Sequence, residues 1–148
     1  MRANLFSKLV NASGARHMYV RIKNSQMNYK IVDRLYDFGF VQHYSLGSHQ
    51  SPYASQSHLW VQLKYTPDLQ PVLKSIKSIS KPSRRVLLNS EDLISLTSGQ
   101  VTHTLKSLGF GKMLPGQVVL INTRKYGILE LFEAVEKDSG GEVLCIVY

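Results

Sequence analysis

The sequence predicts an α+β fold in two small α/β lobes, and three patterns carry that expectation. Leu59, Val61, Leu63 and Tyr65 alternate with Trp60, Gln62 and Lys64, the two-residue period of a half-buried strand. Met27, Ile31, Leu35 and Phe38 recur at helical spacing behind a capping residue, Asn24 or Ser25. Pro67 and Pro71 bracket a boundary near the middle of the chain, giving lobes at 1–68 and 69–148.

In order, Leu5, Leu9 and Ala12 space a first helix, and residues 18–22 read as a short strand. The second helix runs to about Asp37 and ends at Gly39, a residue that tolerates a left-handed C-terminal cap. Residues 40–46 are the next strand, and the polar tract 47–57, with Pro52, is a loop before the strand at 59–65. The N-terminal lobe is therefore helix-strand-helix-strand-strand. Residues 72–80 fit a helix or a strand. Their β-branched residues, with the turn-like Lys81-Pro82-Ser83 before 84–88, favour a hairpin. A helical turn follows at Glu91-Asp92-Leu93, with a weak helical stretch at 101–108. Residues 118–121 are a buried strand. After Gly127, Ile128, Leu131, Phe132 and Val135 share one face of a short helix, and 142–148 form the last strand. The C-terminal lobe is thus a mixed β lobe with a short helix.

A chain of 148 residues is long enough to bury a core. Its 18 Lys and Arg against 10 Asp and Glu give a net charge of +8, which attracts polyanions: nucleic acid or an anionic membrane surface. The distribution is uneven. No acid precedes Asp33, whereas Arg2, Lys8, Arg16, Arg21, Lys23 and Lys30 do. A second basic run spans Lys74, Lys77, Lys81, Arg84 and Arg85, and acids collect late, from Glu130 to Glu142. Such asymmetry implies a basic side that meets nucleic acid. The single cysteine, Cys145, excludes an intramolecular disulfide and sits in an apolar run where a thiol acts as a small hydrophobe. No apolar run approaches the ~20 residues that cross a bilayer. The basic, amphipathic first 16 residues fit a mitochondrial targeting segment or the first structural helix; the reading favours the helix.

Catalysis and cofactors find no support. Glu130, Glu133 and Glu136 lie on the polar side of an amphipathic helix, and the five histidines lack metal-ligand spacing. Gly109-Phe-Gly-Lys112 lacks the remainder of a phosphate-binding loop. No metal, cofactor or small-molecule substrate is expected.

Four stretches together carry a resemblance. Residues 23–41 end a capped helix in Gly39-Phe40-Val41. Ser80-Lys81-Pro82-Ser83-Arg84-Arg85-Val86 forms a basic turn, 119–128 lead through Asn122-Thr123 to Gly127, and the chain closes with Gly140-Gly141-Glu142-Val143-Leu144-Cys145. In order and spacing they resemble the S-eight family of small-subunit ribosomal proteins, in a bacterial-type, mitochondrial form. The resemblance implies two α/β lobes, no enzymatic activity, and binding to an irregular helix in the central domain of small-subunit rRNA, with a role in subunit assembly. It also implies neighbouring small-subunit ribosomal proteins as partners; drift from the bacterial forms and the acid-free N-terminus point to the mitochondrial matrix, with a bacterial or organellar equivalent as the alternative location. That family places short hydrogen-bonding side chains in a loop between a strand and a helix. Here the loop is Asn122-Thr123-Arg124-Lys125-Tyr126-Gly127, one residue longer. Asn122 and Thr123 would meet base edges or ribose, Arg124 and Lys125 phosphates, and Tyr126 a base face. Gly127 would permit the turn, leaving helix N-terminal amides to approach an anion. Glu142 matches the family's carboxylate beside this loop, and Lys81, Arg84 and Arg85 would contact RNA or a protein neighbour. Leu87 stands where many members carry Tyr, and the stretch 88–111 is longer than bacterial forms. A non-ribosomal regulator acting on mRNA is the alternative function.

Overall fold

Alternating apolar residues build the first sheet, and the helices beside it supply the other half of a shared core. The computed structural model describes residues 2–47 and 58–148, so the expected 47–57 loop lies, from residue 48 on, outside the described residues. The chain divides into two compact units, Met1–Ile76 and Lys77–Tyr148.

In the first unit, β1 (Tyr19–Lys23), β2 (Val41–Gly47) and β3 (His58–Leu63) form an antiparallel sheet with β3 in the centre. Val20, Ile22, Leu59, Val61 and Leu63 are buried on one face. Helix α1 (Arg2–Gly14) packs beside β1, and α2 (Gln26–Asp37) beside β2. Leu5 and Leu9 of α1 and Ile31, Val32 and Leu35 of α2 are almost wholly buried, each contributing about 1.5–3 kcal/mol. The N-terminal segment is therefore a structural helix, and its Ser13 hydroxyl donates to the Leu73 carbonyl at 2.6 Å. Of the two capping candidates, Ser25 takes the role and accepts the Asn28 amide at 3.2 Å. Gly39 turns the chain out of α2 with φ 76°, as its position predicts. Phe38, expected on the buried face, is 36% exposed. It is the C-cap residue of α2, so its side chain leaves the helical stripe, which Asn28 and Val32 complete instead.

The second unit is a five-stranded sheet. Its strands are β4 (Ile76–Ser78), β5 (Leu87–Leu88), β6 (Val118–Thr123), β7 (Gly127–Glu130) and β8 (Gly141–Val147). They run β4-β8-β6-β7, with β5 also pairing β8. Helices α3 (Ser90–Thr97), α4 (His103–Ser107) and α5 (Leu131–Glu136) complete it, so this unit carries three short helices beside its sheet. Leu93, Leu96, Leu105 and Phe110 join Val119, Ile121, Leu129 and Val143 in one core. The long 88–111 stretch is thus a structural part of this unit. The expected hairpin of 72–80 with 84–88 takes a different form. β4 and β5 both bond to β8, and their connection closes on itself only at Lys81 and Arg84, whose amides and carbonyls exchange bonds at 3.0 Å.

Residues 127–130 correct the expected helix. They are strand β7, paired with Leu120–Thr123, and α5 begins only at Leu131. Ile128 and Leu129 are adjacent and both buried, which suits a strand covered on two faces rather than one helical stripe. Phe132, read as core, is 60% exposed.

The start of β8 explains the Gly140-Gly141 pair. A Cβ on Gly140 would lie 2.5 Å from the Leu88 carbonyl oxygen, and one on Gly141 would lie 2.6 Å from that of Asn122. Backbone cannot retreat as a flexible side chain does. Gly141→Ala is expected to cost about 1–3 kcal/mol of stability in urea unfolding, the range for overpacking; an unchanged midpoint would show that the strands separate freely.

Candidate nucleic-acid interface

Strand order, rather than chain order, assembles this surface. Leu87 of β5 lies opposite Glu142 of β8, which lies opposite Asn122 of β6. With strands about 4.8 Å apart, these three side chains form one row roughly 10 Å long. Leu87 is 70% exposed, and Glu142 and Asn122 are half-buried. Glu142 is therefore flanked on both sides in the sheet. Arg85 lies two residues before Leu87, just ahead of β5, and is exposed, as are Lys81 and Arg84.

Beyond Asn122 the chain turns back through exposed Arg124, Lys125 and Tyr126. This turn joins two strands, so the expected strand–helix loop is a β6–β7 hairpin. Gly127 adopts φ 77° in open space, so its conformation, rather than a close neighbour, requires glycine. Thr123 is not presented outward. It is 2% exposed, and its hydroxyl accepts the Tyr126 amide at 3.1 Å and donates to the Gly127 carbonyl at 2.9 Å. Both capacities are spent holding the turn.

The expected anion site at helix amides beside Gly127 is also absent. The helix starts four residues later, where Glu130 accepts the Phe132 amide at 2.8 Å and the Glu133 carboxylate accepts the Glu130 amide at 3.0 Å. A carboxylate already occupies that positive end. Burial raises the Glu130 pKa above its ordinary value, partly offset by the amides that it accepts.

The fold places two further cations: Lys137, which no linear motif signalled, and Lys77 of the second basic run. Lys137, just past α5, places Nζ 5.2 Å from the Tyr126 ring centroid, while Lys125 approaches the same ring at 5.0 Å. Lys77 joins Lys81 and Arg84 around a cleft of ≈ 190 Å³, and its Nζ donates to the Gly109 carbonyl at 2.9 Å. Lys77 reaches Gly109 across 32 positions of the chain.

A family model described as Ribosomal protein S8 matches residues 2–148. The chain belongs to the ribosomal protein S8 family. It is a structural family rather than an enzymatic one. Among relatives, the small ribosomal subunit protein uS8m of Neurospora crassa is 34% identical, over 97% of this chain and 95% of its own. Bacterial uS8 proteins match as well: that of Chlamydia abortus at 30% (99% and 94% of the two chains) and that of Rubrobacter xylanophilus at 31% (99% and 95%). Among the described residues no helix is long and apolar enough to cross a membrane, and no group of His, Cys, Asp and Glu could hold a metal.

Two outcomes follow for the turn. Thr123→Val keeps the shape but removes two part-buried hydrogen bonds that hold the turn, and should cost about 1 kcal/mol in urea unfolding; no loss would mean the hydroxyl is dispensable. Glu130 holds its proton more tightly folded than unfolded, so its contribution is present below the ordinary glutamate pKa and lost as pH rises through the raised one. Glu130→Gln keeps a capping oxygen without titrating. The stability of the native chain relative to this variant should therefore fall as pH rises through that window, and a pH-independent difference would refute the assignment.

Proposed function

We propose that this chain is a constituent of the small ribosomal subunit that binds the central domain of small-subunit rRNA and supports subunit assembly and translation. The observation that carries this reading is the Leu87–Glu142–Asn122 row, with Arg85 at one end and the Arg124-Lys125-Tyr126 turn beyond the other. A-form RNA hides its major-groove edges, so proteins grip its shape, backbone, 2′-hydroxyls and distorted bases. The row is suited to that task. A carboxylate repels phosphate but accepts from base amino groups and 2′-hydroxyls, and Asn122 both donates and accepts. Leu87 offers an apolar contact where many family members have an aromatic ring. Cations at the two ends take the phosphates and set the register. Thr123 acts one step back, by fixing the turn that carries Arg124 and Lys125.

The mitochondrial matrix is the proposed location, with neighbouring small-subunit proteins as partners. The acid-free stretch before Asp33 and the likeness to a fungal mitochondrial relative support it, while bacterial relatives at similar identity support a bacterial-type ancestry.

Binding to a central-domain rRNA fragment should be tight and steeply salt-dependent. Arg124→Gln with Lys125→Gln should reduce the slope of log affinity against log salt by about 1–2, as two phosphate contacts are lost. An unchanged slope would remove the turn from the interface, and failure of the native chain to co-sediment with the small subunit would remove the ribosomal assignment.

A further inference from the structure

The first unit carries a second surface with its own chemistry. The outer face of its sheet holds three rows across β1, β3 and β2: Tyr19, Gln62 and His43; Arg21, Trp60 and Ser45; Lys23, His58 and Gly47. The opposite face carries the buried Val20, Ile22, Leu59, Val61 and Leu63, so strand alternation turns these nine residues outward. Tyr19 is 55% exposed, Arg21, Lys23, His43 and Ser45 are exposed, and Trp60 is half-buried on the central strand. The indole lies beside Gly47, where an added Cβ would meet Trp60 Cδ1 at 3.6 Å. No Asp or Glu occurs in any of the three strands.

We infer that this face binds unpaired nucleotides of RNA, with bases stacking on Trp60 and Tyr19 and phosphates meeting Arg21 and Lys23. Directly paired side chains stand about 4.5–5.5 Å apart and diagonal ones about 7–8 Å, so Arg21 sits beside the indole and Tyr19 one step away. Rings next to cations on an open sheet are the arrangement that splayed bases and their backbone require. A duplex keeps its base faces stacked inside and could not use the rings. A protein partner would meet apolar groups separated by Arg, Lys, Gln and His, with no acid among them, whereas a polyanion meets two cations, Arg21 and Lys23, and no opposing charge in these strands. The inference goes beyond the rRNA contact proposed for the second unit and uses none of its residues, so either can fail alone.

Trp60 is the only tryptophan, and its emission reports on this face directly. The experiment titrates the full-length native chain with a short oligoadenylate and with a duplex of equal length. Saturable quenching by the single strand, absent with the duplex, is the expected result. Trp60→Leu should weaken binding of a fluorescein-labelled oligoadenylate roughly tenfold or more, the scale of one lost stacking contact. Arg21→Gln with Lys23→Gln should lower the salt slope by about 1.4, and Lys106→Gln, an exposed cation of α4, should leave both readouts unchanged. Three results would overturn the inference: unchanged emission while the labelled strand binds, equal quenching by the duplex, or no binding at all. Ultraviolet crosslinks from the Tyr19 and Trp60 peptides to protein rather than RNA in assembled subunits would also overturn it, in favour of a protein neighbour. The native-chain titration decides the matter even if a variant misfolds.

Discussion

Strand β8 has to run between two neighbours at a separation that leaves no room for side chains on its first residues. Gly140 passes within contact of the Leu88 carbonyl, and Gly141 within contact of that of Asn122. The approach allows β8 to bond β5 on one side and β6 on the other. From that placement follow the core position of Val143 and the alignment of Leu87, Glu142 and Asn122 in one outward row. The same constraint thus shapes the interior of the second unit and its candidate binding surface.

Charge on that candidate surface is segregated. The carboxylate of Glu142 lies within the row and the cations lie beyond its ends, a division that under the proposed function would separate groups accepting from bases and ribose from groups neutralising phosphates. Tyr126 is held near two ammonium groups, each such contact being worth about 0.5–1 kcal/mol at an exposed site. The helix N-terminus that might have served an anion is closed by Glu130 and Glu133 instead. Under the proposed function, recognition would rest on side chains carried by strands and turns, not on a helix dipole.

Elements whose evidence is local were legible. The second helix announces itself through Ser25, its apolar spacing and Gly39, because a cap, a stripe and a left-handed stop are all properties of consecutive residues. The central strand β3 is equally plain from its alternation. The family motifs pointed to the turn and to Glu142 because they preserve spacing. The reading failed at 127–132, where Ile128, Leu131 and Phe132 imitate a helical stripe. Pairing of Gly127–Glu130 with β6 overrides that periodicity, and no local pattern reports a partner strand. The burial of Thr123 was not legible for a related reason: a hydroxyl beside a turn serves solvent or backbone equally well until the folded chain covers it.

The sequence by itself determined the α+β class, the excess of positive charge, the absence of a disulfide and the motifs that identify the family, since these depend on composition and short-range order. Tertiary structure decided which side chains stand together. It brought Leu87 and Asn122 to opposite sides of Glu142, Lys137 to the ring of Tyr126, and Trp60 between Arg21 and Ser45. Those adjacencies arise from hydrogen-bonded register between strands distant in the chain, and register is a property of the folded sheet that no single strand encodes.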